Sequence, residues 1–227
     1  MIRQDYILRM VEDFAEALAR IRALQKEGRA GEAQVLTDEE FRRFTGLDSE
    51  ALLKLSETEL LAKLIQGEPL HAVREKMFFL TTLLKETGDI AAAEGREAES
   101  QACYLKGLHL LLDSLARGDG FERPEFVPKV ELFAAALADS ELPVTTHAML
   151  MEHYERTGQF AKAEDSLFAI LDADPENAAA LEFGISFYER LLRQTDAQLK
   201  EGNLPLSEVE AALKELRGRL AARANVS

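Results

Sequence analysis

The chain has 227 residues, with 41 acidic against 27 basic side chains, one cysteine and no tryptophan. Hydrophobic residues make up 47%, enough for a real core and too many for a wholly disordered chain. The net charge of −14 argues against nucleic acid or an anionic membrane surface as partner, since clustered Lys and Arg supply the affinity for both.

The excess charge is uneven. Residues 124–175 carry 10 acidic and 3 basic groups, so half of it sits in about a quarter of the chain. With Cys103 alone no intrachain disulfide forms, and the charges at Arg3, Asp5, Arg9, Glu12 and Asp13 interrupt any signal-peptide apolar region. The longest apolar run, Phe133 to Ala138, is far short of the ~20 residues of a membrane span. A soluble, cytoplasmic protein is expected.

Helical periodicity runs throughout. Tyr6, Met10, Phe14, Ala17, Ile21 and Leu24 recur at threes and fours on one face of a first helix, which Gly28 and Gly31 end. Thr37 to Glu40 and Ser56 to Glu59 read as capping boxes, bounding short helices around Phe41, Phe44, Leu47, Leu52, Leu53 and Leu55 that close at Gly67-Glu-Pro69. A helix over 70–87 is then broken by Gly88. Residues 90–117 read as one helix of about 42 Å, weakened by Gly95 and Gly107. After a loop at Gly118-Asp-Gly120 and Pro124, helices follow at 125–139, 144–157, 160–173, 176–201 and 206–223, the last capped by Ser207 with Glu210. No stretch alternates as a strand does, so no sheet is expected.

The sequence also repeats. Thr157-Gly-Gln-Phe-Ala-Lys-Ala-Glu164 aligns with Thr87-Gly-Asp-Ile-Ala-Ala-Ala-Glu94 at an offset of 70, and Tyr154-Glu-Arg156 recurs as Tyr188-Glu-Arg190 at 34. With Leu150, Tyr154, Gly158, Ala163, Ile170 and Pro175 in the signature places, residues 144–177 resemble a tetratricopeptide repeat. His147 stands at that family's tryptophan position and Met151 at its usual small residue. The earlier copy fits through Tyr104, Gly107 and Leu108 only with an insertion of about seven residues. The opening Met-Ile-Arg-Gln-Asp-Tyr-Ile-Leu-Arg and the later Gly46-Leu-Asp-Ser-Glu-Ala-Leu-Leu-Lys-Leu-Ser56 resemble an uncharacterised bacterial family, a likeness that implies no activity.

Few residues point to chemistry. Among the histidines, His147 and His153 stand about 600° apart on a helix and so on different faces. Glu68-Pro-Leu-His71 is a single Glu-x-x-His, where di-metal bundles need two plus further glutamates. Cys103 lies in an apolar helical stretch and reads as a core residue. There is no phosphate loop, nucleophile elbow or dinucleotide fingerprint. No catalytic residue, metal site or cofactor is therefore assigned.

The resemblance implies a concave groove lined by the first helix of each unit. Its groove-facing places fall on Thr145, Ala148, Glu152, Glu155 and Arg156, then on Ala179, Glu182, Ser186, Glu189 and Arg190. The repeated Glu-Arg pair either grips a peptide or merely bridges neighbouring helical pairs. The expectation is an all-α protein: an N-terminal helical segment (1–68) before an irregular tetratricopeptide-like array (69–227). Its expected function is non-enzymatic protein–protein interaction or scaffolding with an unidentified, basic protein or peptide partner. Two alternatives stand beside it. One is a metal- or small-ligand-binding protein or enzyme. The other is a structural homo-oligomer, dimerising through the Tyr6–Leu24 stripe of the first helix.

Overall fold

A computed structural model describes residues 2–66, 70–117 and 123–224, with the side chains of 2–5, 7, 70, 71 and 224 left aside. The chain is all-α, with twelve helices and no strand among the described residues. It divides into two compact units, 1–140 and 141–227. The sequence reading set its boundary at 68/69 instead. The loops read at Gly67-Glu-Pro69 and Gly118-Asp-Gly120 lie outside the described residues, as does the Glu68–His71 pair.

Unit 1 holds α1 (Ile2–Lys26), α2 (Ala30–Thr45), α3 (Ser49–Leu53), α4 (Glu57–Ile65), α5 (Leu70–Ala93), α6 (Glu97–Ala116) and α7 (Val130–Ala136). The first-helix stripe is buried inside the unit from Met10 to Ile21, with Phe14 and Ile21 fully covered, whereas Tyr6 at its start is 55% exposed. At the centre the rings of Phe14, Phe44 and Phe79 pack with centroids 4.3–6.0 Å apart, tilted or edge-on, and Phe126 closes the cluster. Because Phe79 belongs to α5, that helix shares one core with α1 and α2, which is why residues 1–68 do not form a unit of their own. Glu86, also on α5, is 1% exposed. Its Oε1 accepts from Arg22 Nε at 2.9 Å across the α1–α5 contact, while its Oε2 has no partner.

Unit 2 holds α8 (Val144–Arg156), α9 (Phe160–Ala173), α10 (Ala178–Leu191), α11 (Asp196–Glu201) and α12 (Leu206–Ala224). The chief pairings are α8 with α9 and α10 with α12. α12 buries Val209, Leu213 and Leu216 along one face.

One turn recurs in both units. At α1–α2, α5–α6 and α8–α9 a glycine sits at positive φ (Gly28 +72°, Gly95 +72°, Gly158 +74°), where a side chain is strained. The next residue's N–H reaches back five residues, Arg29 to Leu24, Arg96 to Ala91 and Gln159 to Tyr154, at 2.8–2.9 Å. This Schellman arrangement satisfies carbonyls that a helix end otherwise leaves open. Five residues after each glycine stands a small buried side chain: Ala33, Ser100 or Ala163. Asn203 (φ 56°) stands where the glycine would be at α11–α12, and there the Leu204 N–H reaches Leu199.

That turn corrects several boundaries. Gly88 does not break a helix; it lies inside α5 because the Tyr104 ring packs over it, 2.7 Å from where a Cβ would stand. Gly95 is the break, so 90–117 is not one helix. Turn on turn, Gly95 matches Gly158 at an offset of 63, not 70, and no seven-residue insertion is needed. Gly31 lies inside α2, and Thr37 is buried there with its hydroxyl donating to the Ala33 carbonyl, so no helix starts at Thr37. The Ser56–Glu59 box is present. Residues 176–201 are two helices, because Thr195 and Gln198 cap a new start. α12 begins at Leu206, with the Pro205 carbonyl accepting from Glu208 and Val209, so Ser207 is within it and not its cap.

Candidate functional site

Helical spacing puts Val144 and Ala148 on one face of α8, and Ala179, Ala180 and Phe183 around one side of α10. With Ile170 and Ala173 from the end of α9 they enclose an open cleft of about 580 Å³. Its walls are small because four of these side chains are methyl groups. Asp174 and Asn177 form its polar edge. Asn177 is fixed there: its Oδ1 accepts from the Ala180 N–H at 3.2 Å, and its Nδ2 donates to Asp174 at 3.1 Å.

The groove residues read from the sequence divide into three groups. Ala148 and Ala179 line the cleft. Thr145, Glu152, Arg156, Glu182 and Ser186 are exposed; Glu152 is one turn beyond Ala148, and Glu182 about one turn beyond Ala179. Glu155, Glu189 and Arg190 are engaged within the unit. Arg190 donates through Nε and Nη2 to both oxygens of Glu155, each at 2.7 Å, which ties α10 to α8. Glu189 accepts from Arg217 of α12 at 2.7 Å. Three of the four residues of the Glu-Arg repeat therefore bridge helices, and the open surface lies nearer the start of α8.

Charge surrounds this cleft unequally. Residues 141–190 hold ten acidic and three basic side chains. One of the three cations, Arg190, is paired with Glu155, and another, Lys162, stands 5.3 Å from the Tyr154 ring centre. Glu164, half-buried, is raised above the ordinary carboxylate range by burial, although the Tyr188 hydroxyl donates to it at 2.7 Å.

Sequence reasoning missed Val144, Ile170, Ala173, Asp174, Asn177, Ala180 and Phe183. A legible signal was the run Ala178-Ala-Ala180 at a helix start, where small side chains leave room. A second cleft, of about 300 Å³, lies in unit 1 among Tyr6, Arg9, Met10, Asp13, Arg43, Phe44 and Lys76. These residues come from α1, α2 and α5, and although the four on α1 share a helical face, no local spacing joins them to Arg43, Phe44 or Lys76.

The remaining chemistry is structural. Cys103 is buried, and burial pushes its thiol up to about 12, which keeps it protonated at neutral pH. Burial lowers His147 below the ordinary imidazole range. Among the described residues no three His, Cys, Asp or Glu side chains converge as metal ligands, and no helix is long and apolar enough to cross a membrane.

These features define an all-helical protein whose described residues form helix pairs joined by glycine turns and line surface clefts. The chain belongs to the family of unknown function DUF6483, whose model matches residues 1–221. No curated protein and no solved structure matches it.

Proposed function

We propose that the protein is a non-enzymatic interaction or scaffold protein, and that unit 2 is a tetratricopeptide-like array receiving a basic segment of a partner protein. The observation that carries this reading is the alanine-walled cleft between α8 and α10, open to solvent on a strongly acidic surface. An apolar concavity with a few placed polar groups is the usual form of a binding site. Its small walls leave room for one large apolar side chain, and Glu152 and Glu182 lie within a turn to meet flanking cations. The Gly158 turn, buried Ala163 and the packing of Tyr154 and Ile170 support the repeat assignment. α11, inserted between α10 and its partner α12, makes the array irregular.

The test is selection from a random peptide library on the full chain, repeated on Ala179→Trp, which fills the cleft from an exposed position. The expected peptides share one aromatic or branched apolar residue flanked by Lys or Arg. They bind less tightly as salt rises and are lost on Ala179→Trp. Peptides without basic enrichment, or equal binding to the filled cleft, would sink the reading.

A further inference from the structure

We infer that the cleft of unit 1 is a separate binding site for a small amphipathic monoanion, an apolar body carrying one carboxylate or sulfonate. Tyr6, Arg9, Met10 and Asp13 fall at i, i+3, i+4 and i+7 along α1 and so share one face. Met10 and Phe44 are 5% and 8% exposed and make an apolar floor. That floor is stiff, because the Phe44 ring packs at a tilt on Phe79 at 5.0 Å and meets Phe14 edge-on at 6.0 Å.

Three cations from three different helices surround this floor: Arg9 of α1, Arg43 of α2 and Lys76 of α5. Asp13 is the one anion among the lining residues and Glu40 stands behind Arg43, so three cations face two carboxylates and the cleft keeps a positive excess in a chain of charge −14. Arg43 is held in place on three sides. Its Nη2 pairs with Asp13 at 2.7 Å, its Nη1 with Glu40 at 3.4 Å, and its guanidinium carbon stands 5.6 Å from the Phe44 ring centre. A guanidinium has five N–H donors, and these two pairs leave others for an incoming anion.

Size and charge select the occupant. About 300 Å³ is at the lower limit for small-molecule sites and too small for a folded element. A bare inorganic anion leaves the Met10–Phe44 floor wet, and an apolar cation is repelled by the rim. An amphipathic anion satisfies both.

The experiment titrates the full chain with the fluorescent probe anilinonaphthalene sulfonate, then competes the probe with octanoate, acetate or octylammonium. Saturable binding at one site, displaced by octanoate and not by acetate or octylammonium, is expected. Reversing two rim charges, Arg9→Glu with Lys76→Glu, weakens it roughly tenfold. Ala179→Trp, in unit 2, leaves it unchanged, so failure here is distinguishable from failure of the peptide reading. If the reversed variant loses its cooperative melt, Arg9→Gln with Lys76→Gln replaces it, with an expected weakening of about threefold. Non-saturable binding, displacement by octylammonium, unchanged affinity in the charge variants or loss on Ala179→Trp would each overturn the inference.

Discussion

Unit 1 and unit 2 set helices side by side with the same glycine turn, yet they are held together differently and present opposite surfaces. Unit 1 packs α1, α2 and α5 around a four-ring phenylalanine cluster, and its cleft is rimmed by cations. Unit 2 sets the Gly202 backbone against the Gly158 carbonyl, joins α8, α10 and α12 through ion pairs and opens an alanine-walled cleft on an acidic surface. A shared turn fixes how two helices meet. The side chains on the faces left over decide what each pair can bind.

The sharpest way to break this contrast is at the ring cluster. Phe79→Ala removes a fully buried ring that touches Phe14, Phe44 and Phe126, and should cost about 3–5 kcal/mol in a urea unfolding curve. A loss below about 1 kcal/mol would mean that the rings are not what holds unit 1.

In unit 2 the matching test is Gly202→Ala. Its Cβ would meet the Phe160 ring and stand 2.6 Å from the Gly158 carbonyl, beside the turn that joins α8 to α9. Backbone there cannot yield as a flexible side chain does, so a loss of about 3 kcal/mol is expected. Gly218→Ala is the counterpart on α12, where nothing lies within 4 Å. It should stabilise by about 1 kcal/mol through helix propensity alone. Thermal melts of the pair should move in opposite directions.

Smaller still is the bridge between α8 and α10. Glu155→Ala strips both bonds from Arg190, which is 43% exposed, and about 1 kcal/mol is expected from a double-mutant cycle with Arg190→Ala.

The least effect is pH-dependent. Burial raises the Glu164 carboxyl, so the folded chain keeps this proton to higher pH than the unfolded chain does. The stability it contributes is complete below the ordinary carboxylate range and lost as pH rises through its elevated value. Glu164→Gln keeps an acceptor for Tyr188 without the charge. It should melt higher than the parent at neutral pH, with the difference vanishing on acidification.

How far the sequence was legible follows from the range of each force. Helix content, the α1 stripe and the Ser56–Glu59 cap depend on residues within a few positions, and these were readable. Gly88 and Gly95 were exchanged, because propensity treats both as breakers. Only the Tyr104 ring, 16 residues away, explains why the first sits inside a helix. The repeat was set seven residues out for the same reason: Thr87-Gly88 spells like Thr157-Gly158 but lacks its positive φ. The two clefts join residues from several helices, so their geometry was out of reach. Half of the unit 2 ladder was legible only as a choice between gripping a partner and bridging helices. The Arg190–Glu155 and Arg217–Glu189 pairs decide that choice, and each needs a neighbouring helix that local spacing does not place.

The central claim is that the α8–α10 cleft accepts an apolar side chain flanked by positive charge. Alanine methyl groups line it, so they report directly. With alanine-methyl-labelled full chain, two peptides differ only in flanks: one central phenylalanine between lysines, the other between glutamates. The methyl signals of Ala148, Ala179 and Ala180 should move with the lysine peptide, not with the glutamate peptide, and the shifts should fade at high salt. Equal shifts with both peptides, or no movement at these three methyls, would contradict the account.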